Sequence, residues 1–208
     1  MRLTMPQQGR PQDEILAEMR GFKAGDCDWT HGRAPLFVFK ADEPLYEMGR
    51  SAFFEYFSEN ALGAGRAFPS VKKMESEVVA IALSLFNAPE GAQGFMTTGG
   101  TESIFLAVKA ARDAARKARP QLGTPNIVLA HSAHPAFDKA AHFLDLKTIR
   151  LPLRADYTAD PAAMQAAITP DTVMLVGSAP AYPHGVVDPI GEIAAIARRH
   201  RLWMHVDA

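Results

Sequence analysis

The chain has 208 residues, 48% of them hydrophobic, which is enough to bury a sizeable core in one domain or in one domain with an appendage. With 22 basic and 23 acidic residues the net charge is −1, so the chain has no broad field to attract a nucleic-acid backbone or a lipid headgroup surface. The lone cysteine, Cys27, excludes an internal disulfide, and no apolar run approaches the ~20 residues that span a bilayer, so we expect a soluble, cytoplasmic protein without a membrane span.

Residues 1–87 are predicted to form an N-terminal helical segment. Three stretches in this segment carry apolar residues at helical spacing: PQDEILAEMRGFK, EPLYEMGRSAFFEYF and SVKKMESEVVAIALSLF. In the first stretch the residues that share one stripe are Ile15, Leu16, Met19 and Phe22. This spacing is typical of amphipathic helices.

Residues 88–208 are predicted to form an α/β domain. Short apolar runs of β type, NIVLAH, KTIRLPL, TVMLVGS and LWMHVDA, alternate with the helical stretches PAFDKAAHFL, PAAMQAAI and PIGEIAAIARRH. Such alternation predicts a mostly parallel sheet covered by helices. The runs IVLA and VMLV are apolar at successive positions, as expected for strands that are buried on both faces.

The segment TTGGTES, residues 97–103, precedes a long helical stretch and predicts an anion site. Gly99 and Gly100 allow a tight turn and a close approach of a ligand to the backbone, and Thr101 can cap the helix. The first N–H groups of the helix would then point back at the loop. Taken alone, the same motif is more often only a tight turn.

Polar side chains follow the predicted strands at the edge where ligands collect in open α/β sheets. They are His131 and His134 after NIVLA, Ser178 at the end of TVMLVGS, and Asp207 at the end of LWMHVDA. Two of them also have purely structural explanations, because His134 before Pro135 can cap a helix and Asp207 can cap an element that follows it. The spacing of the two histidines resembles a metal motif, but neither cysteine nor carboxylate accompanies them, so we expect no metal.

Four blocks of the sequence together resemble one known family. The blocks are YFSENALGAGRAFPSVKKMESEVVAIALSLFN, FMTTGGTESIFLAVKAARD, SAHPAFDKAAHFLDLKTIRLPL and SAPAYPHGVVDPIGEIAAIARRHRLWMHVDA. In this order they resemble the sphingosine-1-phosphate lyases, within the group II decarboxylase branch of the enzymes that use pyridoxal 5′-phosphate (PLP). The resemblance implies an α/β fold, the PLP-dependent transferase large domain (fold type I) with a mostly parallel sheet, over residues 88–208, preceded by the helical segment 1–87.

The resemblance also implies roles for individual residues in binding PLP. The phosphate would lie at the N-terminus of helix 101–118, where its ligands would be the backbone of Gly100 and Thr101 and the side chains of Thr101 and Thr98. His134 would stack on the pyridine ring, and Ser178 would contact the cofactor. Asp207 would pair with the pyridine nitrogen and keep it protonated, so that the ring can accept an electron pair. His134 and Asp207 are therefore the predicted catalytic residues.

Two parts of the sequence depart from the family pattern. Asn60 falls in a stretch near the substrate of the family, but the histidine that commonly follows the position of Leu62 is absent from GAGRAFPS. The lysine that forms the Schiff base with PLP lies downstream of the HVDA aspartate in the family, and the sequence ends at Ala208. Lys109 and Lys139 are expected to be solvated, so the chain is expected to be the N-terminal part of an enzyme.

The resemblance implies a lyase that cleaves the C2–C3 bond of a phosphorylated long-chain base to a fatty aldehyde and phosphoethanolamine. It also implies a homodimer with shared active sites, in which residues 11–87 embrace the partner. Two alternatives remain at this point. A group II amino-acid decarboxylase would use the same cofactor residues, and a non-catalytic fragment or assembly partner could keep the fold without the lysine.

Overall fold

The computed structural model describes residues 4–34, 38–60, 62 and 65–208, and they divide into two compact units, Met1–Glu77 and Val78–Ala208. The domain boundary after residue 87 stays a prediction. Within the described ranges no helix has both the length and the apolar character that crossing a membrane requires.

The first unit is helical. Helix α1 spans Gln12–Phe22, two short 3-10 helices cover Lys23–Gly25 and Trp29–His31, and helix α2 spans Glu43–Glu55. Helix α2 begins after Asp42, whose carboxylate accepts the Leu45 N–H at 2.8 Å and so satisfies one of the free amides of the first turn. Helix α3, Pro69–Leu85, begins in the first unit and ends in the second. The three predicted helical stretches are confirmed.

The second unit is a parallel α/β domain, as the alternating pattern predicts. Its helices are α4 Gly100–Ala118, α5 Ala136–Leu144, α6 Pro161–Ala166 and α7 Ile190–His200. Its strands are β1 Asn126–Ala130, β2 Lys147–Leu151, β3 Thr172–Ser178 and β4 Trp203–Asp207. The sheet has the order β2-β1-β3-β4, and every pair of neighbours is parallel.

The two central strands lie between two layers of helices. Side chains of β1 alternate between the layers, since Ile127 and Leu129 join the core with α4 and α5, whereas Val128 joins the core with α6 and α7. On α4 the stripe that faces the sheet consists of Ile104, Val108, Ala111 and Ala115. Burial on both faces explains why β1 and β3 are apolar at successive positions.

The parallel arrangement brings the carboxyl ends of the strands to one edge of the sheet. The register pairs Ser178 at the end of β3 with Asp207 at the end of β4. The turn that carries His131 and His134 leaves the end of β1, and the His131 N–H donates to the carbonyl of Leu151 at the end of β2 at 2.9 Å. The polar residues after the strands therefore share one edge.

Close packing of β3 against α7 leads to a test of the core. A Cβ on Gly177 would lie 2.8 Å from Ile190 Cδ1 and 3.3 Å from Ile193 Cδ1, whereas a Cβ on Gly191 in α7 meets nothing within 4 Å. We expect Gly177→Ala to lower the free energy of unfolding by about 1 kcal/mol, since the overpacking penalty exceeds the entropic gain. Gly191→Ala should raise it by about 0.5 kcal/mol. Urea unfolding of the two variants measures both values, and equal stabilities would contradict this packing.

Candidate functional site

The N-terminus of α4 carries free amide donors. Gly99 precedes the helix with φ 156° and ψ 173°, a conformation that residues with a side chain rarely adopt, and nothing lies within 4 Å of a Cβ built on Gly99 or Gly100. Within the part of the chain that the structure describes, the N–H groups of Gly100, Thr101 and Glu102 have no acceptor. Such groups, together with the positive end of the helix dipole, favour a bound anion.

Side chains of the loop and of the first turn of α4 hold this loop in place. The Glu102 carboxylate accepts the Thr98 N–H at 2.7 Å and the Thr98 hydroxyl at 2.6 Å. The hydroxyls of Thr97 and Ser103 lie 2.7 Å apart. The hydrogen bonds from the hydroxyl and then the amide of Thr98 lower the pKa of Glu102. Because the amide and the hydroxyl of Thr98 both donate to Glu102, the free donors at this end are the backbone amides of Gly100, Thr101 and Glu102.

The ring of His134 caps one amide of α5, but the N-cap position is Pro135 and the helix begins at Ala136, so the prediction of His134 as the N-cap and Pro135 as the first helical residue is wrong by one residue. Its Nδ1 atom accepts the Ala136 N–H at 3.1 Å, which assigns the proton of the neutral ring to Nε2. The Tyr182 ring lies edge-on to the imidazole, with centroids 5.9 Å apart and an interplanar angle of 68°. The cap fixes the orientation of the ring, and Nε2 makes no hydrogen bond to any described residue.

The ends of β3 and β4 are joined by backbone hydrogen bonds and by one buried carboxylate. The Ala179 N–H donates to the Asp207 carbonyl at 2.8 Å. Asp188 is buried and accepts the N–H groups of Ser178 and Ala159, each at 2.8 Å. These bonds fix Ser178 at the edge of the sheet beside the half-buried Asp207.

His205 lies two residues before Asp207 on β4, so the two side chains share one face of the strand. Its ring packs against Phe137 of α5, with centroids 5.5 Å apart. Burial lowers the pKa of His205, and the charge of Asp207 partly opposes that effect. The negative charge of Asp207 therefore lies on the face of the sheet that α4 and α5 cover.

A cavity of about 630 Å³ lies between the N-terminal part of α4 and helix α5. Its lining residues are Thr98, Thr101, Glu102, Phe105, Ala136, Lys139, Ala140 and Phe143. The cavity therefore brings the free amides at the N-terminus of α4 next to the first turn of α5, which begins two residues after His134. Lys139 is exposed, and Lys109 forms an exposed ion pair with Asp113 at 2.6 Å.

The predicted substrate residue Asn60 lies in the first unit, and its role stays a prediction. Its neighbours Ala61, Gly63 and Ala64 lie outside the described residues. Gly63 and Ala64 are the first two residues of the GAGRAFPS segment, where the sequence departs from the family pattern.

Sequence analysis missed four residues that shape this edge of the sheet. They are Tyr182 beside His134, the buried Asp188, Ser132, whose buried hydroxyl has no partner among the described residues, and Arg150, which donates to the turn before α5. A signal existed for Arg150, because a charged residue stands inside the apolar run KTIRLPL. No comparable signal marks Ser132 or Tyr182, whose places depend on how the loops fold.

Comparison with known proteins connects this geometry to one family. A family model described as the pyridoxal-dependent decarboxylase conserved domain matches residues 61–208. Sphingosine-1-phosphate lyase 1 of Mus musculus is 40% identical over 205 residues, which are 99% of this chain and 36% of the relative. A probable L-aspartate decarboxylase of Pyrococcus furiosus is 33% identical over 206 residues, 99% of this chain and 53% of the relative.

Among solved structures, a sphingosine-1-phosphate lyase from Burkholderia pseudomallei superposes with a TM-score of 0.90 at 34% identity, over 99% of this chain and 49% of that one. This likeness confirms the predicted fold, the fold type I large domain of PLP-dependent enzymes with its parallel sheet. The chain spans 36% of the mouse relative's length.

The proximity of His205 and Asp207 can be tested by titration. We expect Asp207→Asn to lower the pKa of His205 further, because the negative charge that raises this pKa is removed. A folded-state pKa below the ordinary 6.5 means that stability is lost as the pH falls through that range, more so in the variant. NMR of the imidazole Cε1–H signal measures the shift. Glu192→Gln on the exposed face of α7 is the control. If Asp207→Asn leaves the pKa of His205 unchanged, the charge of Asp207 does not act on His205.

Proposed function

Because the chain belongs to the pyridoxal-dependent decarboxylase family, we propose that it is part of a PLP-dependent carbon–carbon lyase. The substrate would be a phosphorylated long-chain base of the sphingosine 1-phosphate type, and the products a fatty aldehyde and phosphoethanolamine. The observation that carries the proposal is the 40% identity to a sphingosine-1-phosphate lyase over 99% of the chain. The matched part of the chain includes the free amides at the N-terminus of α4 and the polar residues at the carboxyl ends of the strands.

The N-terminus of α4 and the end of β4 carry groups that fit the charges of PLP. The unpaired N–H groups of Gly100 and Thr101 match a phosphate dianion at the N-terminus of α4. The half-buried carboxylate of Asp207 matches a protonated pyridine nitrogen, and Ser178 beside it offers a hydroxyl. Thr98 would add its hydroxyl only by releasing Glu102. When bound, PLP supplies a sink for the electron pair that is released at the substrate α-carbon.

The proposed role of this chain in catalysis is to orient the pyridine ring of PLP and to keep the proton on the ring nitrogen. His134 would lie against the ring face, with its own orientation fixed by the bond from Ala136 N–H to Nδ1. Asp207 would keep the proton on the ring nitrogen, because its negative charge favours the protonated form. These two roles do not depend on which substrate bond breaks, so other residues decide between lyase and decarboxylase activity.

A decarboxylase is the second candidate function. The observation in its favour is the 33% identity to the probable L-aspartate decarboxylase of Pyrococcus furiosus. In that case the bond between the α-carbon and the carboxylate would break, and carbon dioxide would leave. Which bond breaks depends on how the pocket aligns the substituents of the α-carbon with the ring.

A homodimer is part of the proposal. The first unit exposes large apolar side chains that an isolated globular unit would bury, among them Met19, Phe22, Phe53, Phe54 and Phe57. A groove of about 510 Å³ along α2 has a mostly apolar lining, which includes Phe39, Leu45, Phe53 and Phe54. A second copy of the chain is the partner that we propose for these faces, as the family resemblance implies.

The ring-stacking role of His134 can be separated from its capping role. His134→Asn keeps an acceptor for the Ala136 N–H but removes the imidazole, so we expect a stable protein that loses PLP faster than the unsubstituted one. The absorption of the bound cofactor should also change. His131→Ala and His142→Ala, which alter exposed histidines, should do neither. Dialysis and visible spectra of the full-length protein measure both effects, and three variants that behave alike would remove the assignment to His134.

The choice between the two reactions needs the full-length protein loaded with PLP. We expect sphinganine 1-phosphate to yield hexadecanal, detected by mass spectrometry. We expect glutamate, tyrosine and aspartate to release no carbon dioxide above the rate without enzyme. Carbon dioxide from an amino acid, with no aldehyde from the phosphorylated base, would replace the lyase by a decarboxylase and leave the cofactor assignments in place.

A further inference from the structure

Arg150 is a charged residue inside strand β2, and its side chain is only 18% exposed. In the register of the sheet it lies opposite Leu129, one residue before β1 ends. From there the guanidinium reaches the turn of residues 131–135, which connects β1 to α5 and carries His134. Strand, turn and helix therefore meet at one side chain.

The guanidinium is surrounded by acceptors from this turn. Its Nη1 atom donates to three backbone carbonyls, those of Ala130 at 3.1 Å, His131 at 3.1 Å and Ala133 at 3.0 Å. Its Nη2 atom lies 3.4 Å from the carbonyl oxygen of His134 and 2.8 Å from Asp138 Oδ2. Its Nε atom completes a two-point contact with the Asp138 carboxylate. All three nitrogens of the side chain are used.

This arrangement needs a cation with a planar fork of donors. Four carbonyl oxygens that converge on one point repel one another unless a positive charge with several N–H groups lies between them. A lysine would bring the charge but only one nitrogen, so it could not reach the same set of acceptors. Burial raises the pKa of Asp138, but hydrogen bonds from Arg150 and Thr148 and the charge of Arg150 outweigh burial and lower it. The carboxylate therefore stays ionised and balances the guanidinium.

The shape of this turn also fixes the direction of the His134 imidazole. The carbonyl of His134 accepts the Phe137 N–H at 3.1 Å, and its ring accepts the Ala136 N–H, so the ring can keep its direction only while the turn keeps its shape. Arg150 is the side chain that bonds to the carbonyls on both sides of this turn. We propose that Arg150, paired with Asp138, is a positioning residue that holds His134 in the orientation needed to stack on PLP. This proposal rests on the function proposed above.

Helix α5 offers a matched control at its other end. Arg112 is 15% exposed, donates to the carbonyl of Leu144 at 2.9 Å and pairs with Asp113 at 2.7 Å. It is thus a second mostly buried arginine that bonds both to a carboxylate and to a backbone carbonyl, here at the C-terminal end of α5. If Arg150 acted only through stability, removal of either arginine would have similar effects on cofactor binding.

The experiment compares Arg150→Met, Arg150→Lys and Arg112→Met in the full-length protein loaded with PLP. We expect Arg150→Met to release PLP at least about tenfold faster on dialysis, the order of change that outer partners of a binding group produce at metal sites. The circular dichroism of the bound cofactor should weaken. Arg150→Lys should show the same change to a smaller extent, and Arg112→Met should stay within about twofold of the unsubstituted protein.

Hydrogen exchange of the cofactor-free protein tests the turn without reference to PLP. Amides of residues 131–137 should lose protection in both Arg150 variants and keep it in Arg112→Met, with thermal unfolding measured alongside. If Arg150→Met does not fold, Arg150→Lys carries the same test. Equal release of PLP from the Arg150 and Arg112 variants, or unchanged exchange of the turn, would overturn the proposal. An unsubstituted protein that binds no PLP would instead overturn the proposed function, and exchange would still decide whether Arg150 orders the turn.

Discussion

Burial of β1 and β3 between two layers of helices is the constraint on which the rest of the second unit depends. A strand that is covered on both faces has no room for polar side chains along its length, so polar groups of these strands are confined to their ends. Since all four strands are parallel, their carboxyl ends lie at one edge. The core therefore determines where the polar side chains of the site can be, before any contact among those side chains is made.

At this edge each functional group is held by a backbone hydrogen bond from a neighbouring element. The Ala136 amide holds the ring of His134, Asp188 holds the amide of Ser178, and Glu102 holds Thr98. Loops that carry binding groups are otherwise the mobile part of a fold. Here the loops are anchored through their main chain, so the imidazole face of His134 and the carboxylate of Asp207 remain available to a ligand.

Sequence patterns were sufficient for the fold of the second unit and for the order of its polar residues. The runs IVLA and VMLV predicted buried strands, and the TTGGTES loop predicted free amides at α4, because both features depend on local sequence. Arg150 and Asp188 were missed because their side chains bond to residues far away in the sequence. Every such hydrogen bond spans 12 or more residues, except the one between Asp188 and Ser178. His205 could have been found from the period of two that places it on the face of Asp207. Thr98 was predicted to face an anion, yet its donors face Glu102, a competitor only four residues along the chain.

The charges of the site also determine how a ligand would lie across it. The free amides of α4 present positive potential, whereas Asp207 at the end of β4 presents negative charge that acts on His205. A ligand with an anionic group at one end and a cationic ring at the other is stabilised in one direction and repelled in the reverse direction. The Glu102 carboxylate is held by the amide and the hydroxyl of Thr98 in the first turn of α4, so its negative charge offsets part of the positive potential at this end of the helix. The ring of His134 lies at the same edge, near the end of the turn into α5, so a flat ring system held between the two charges would have an aromatic surface to rest on.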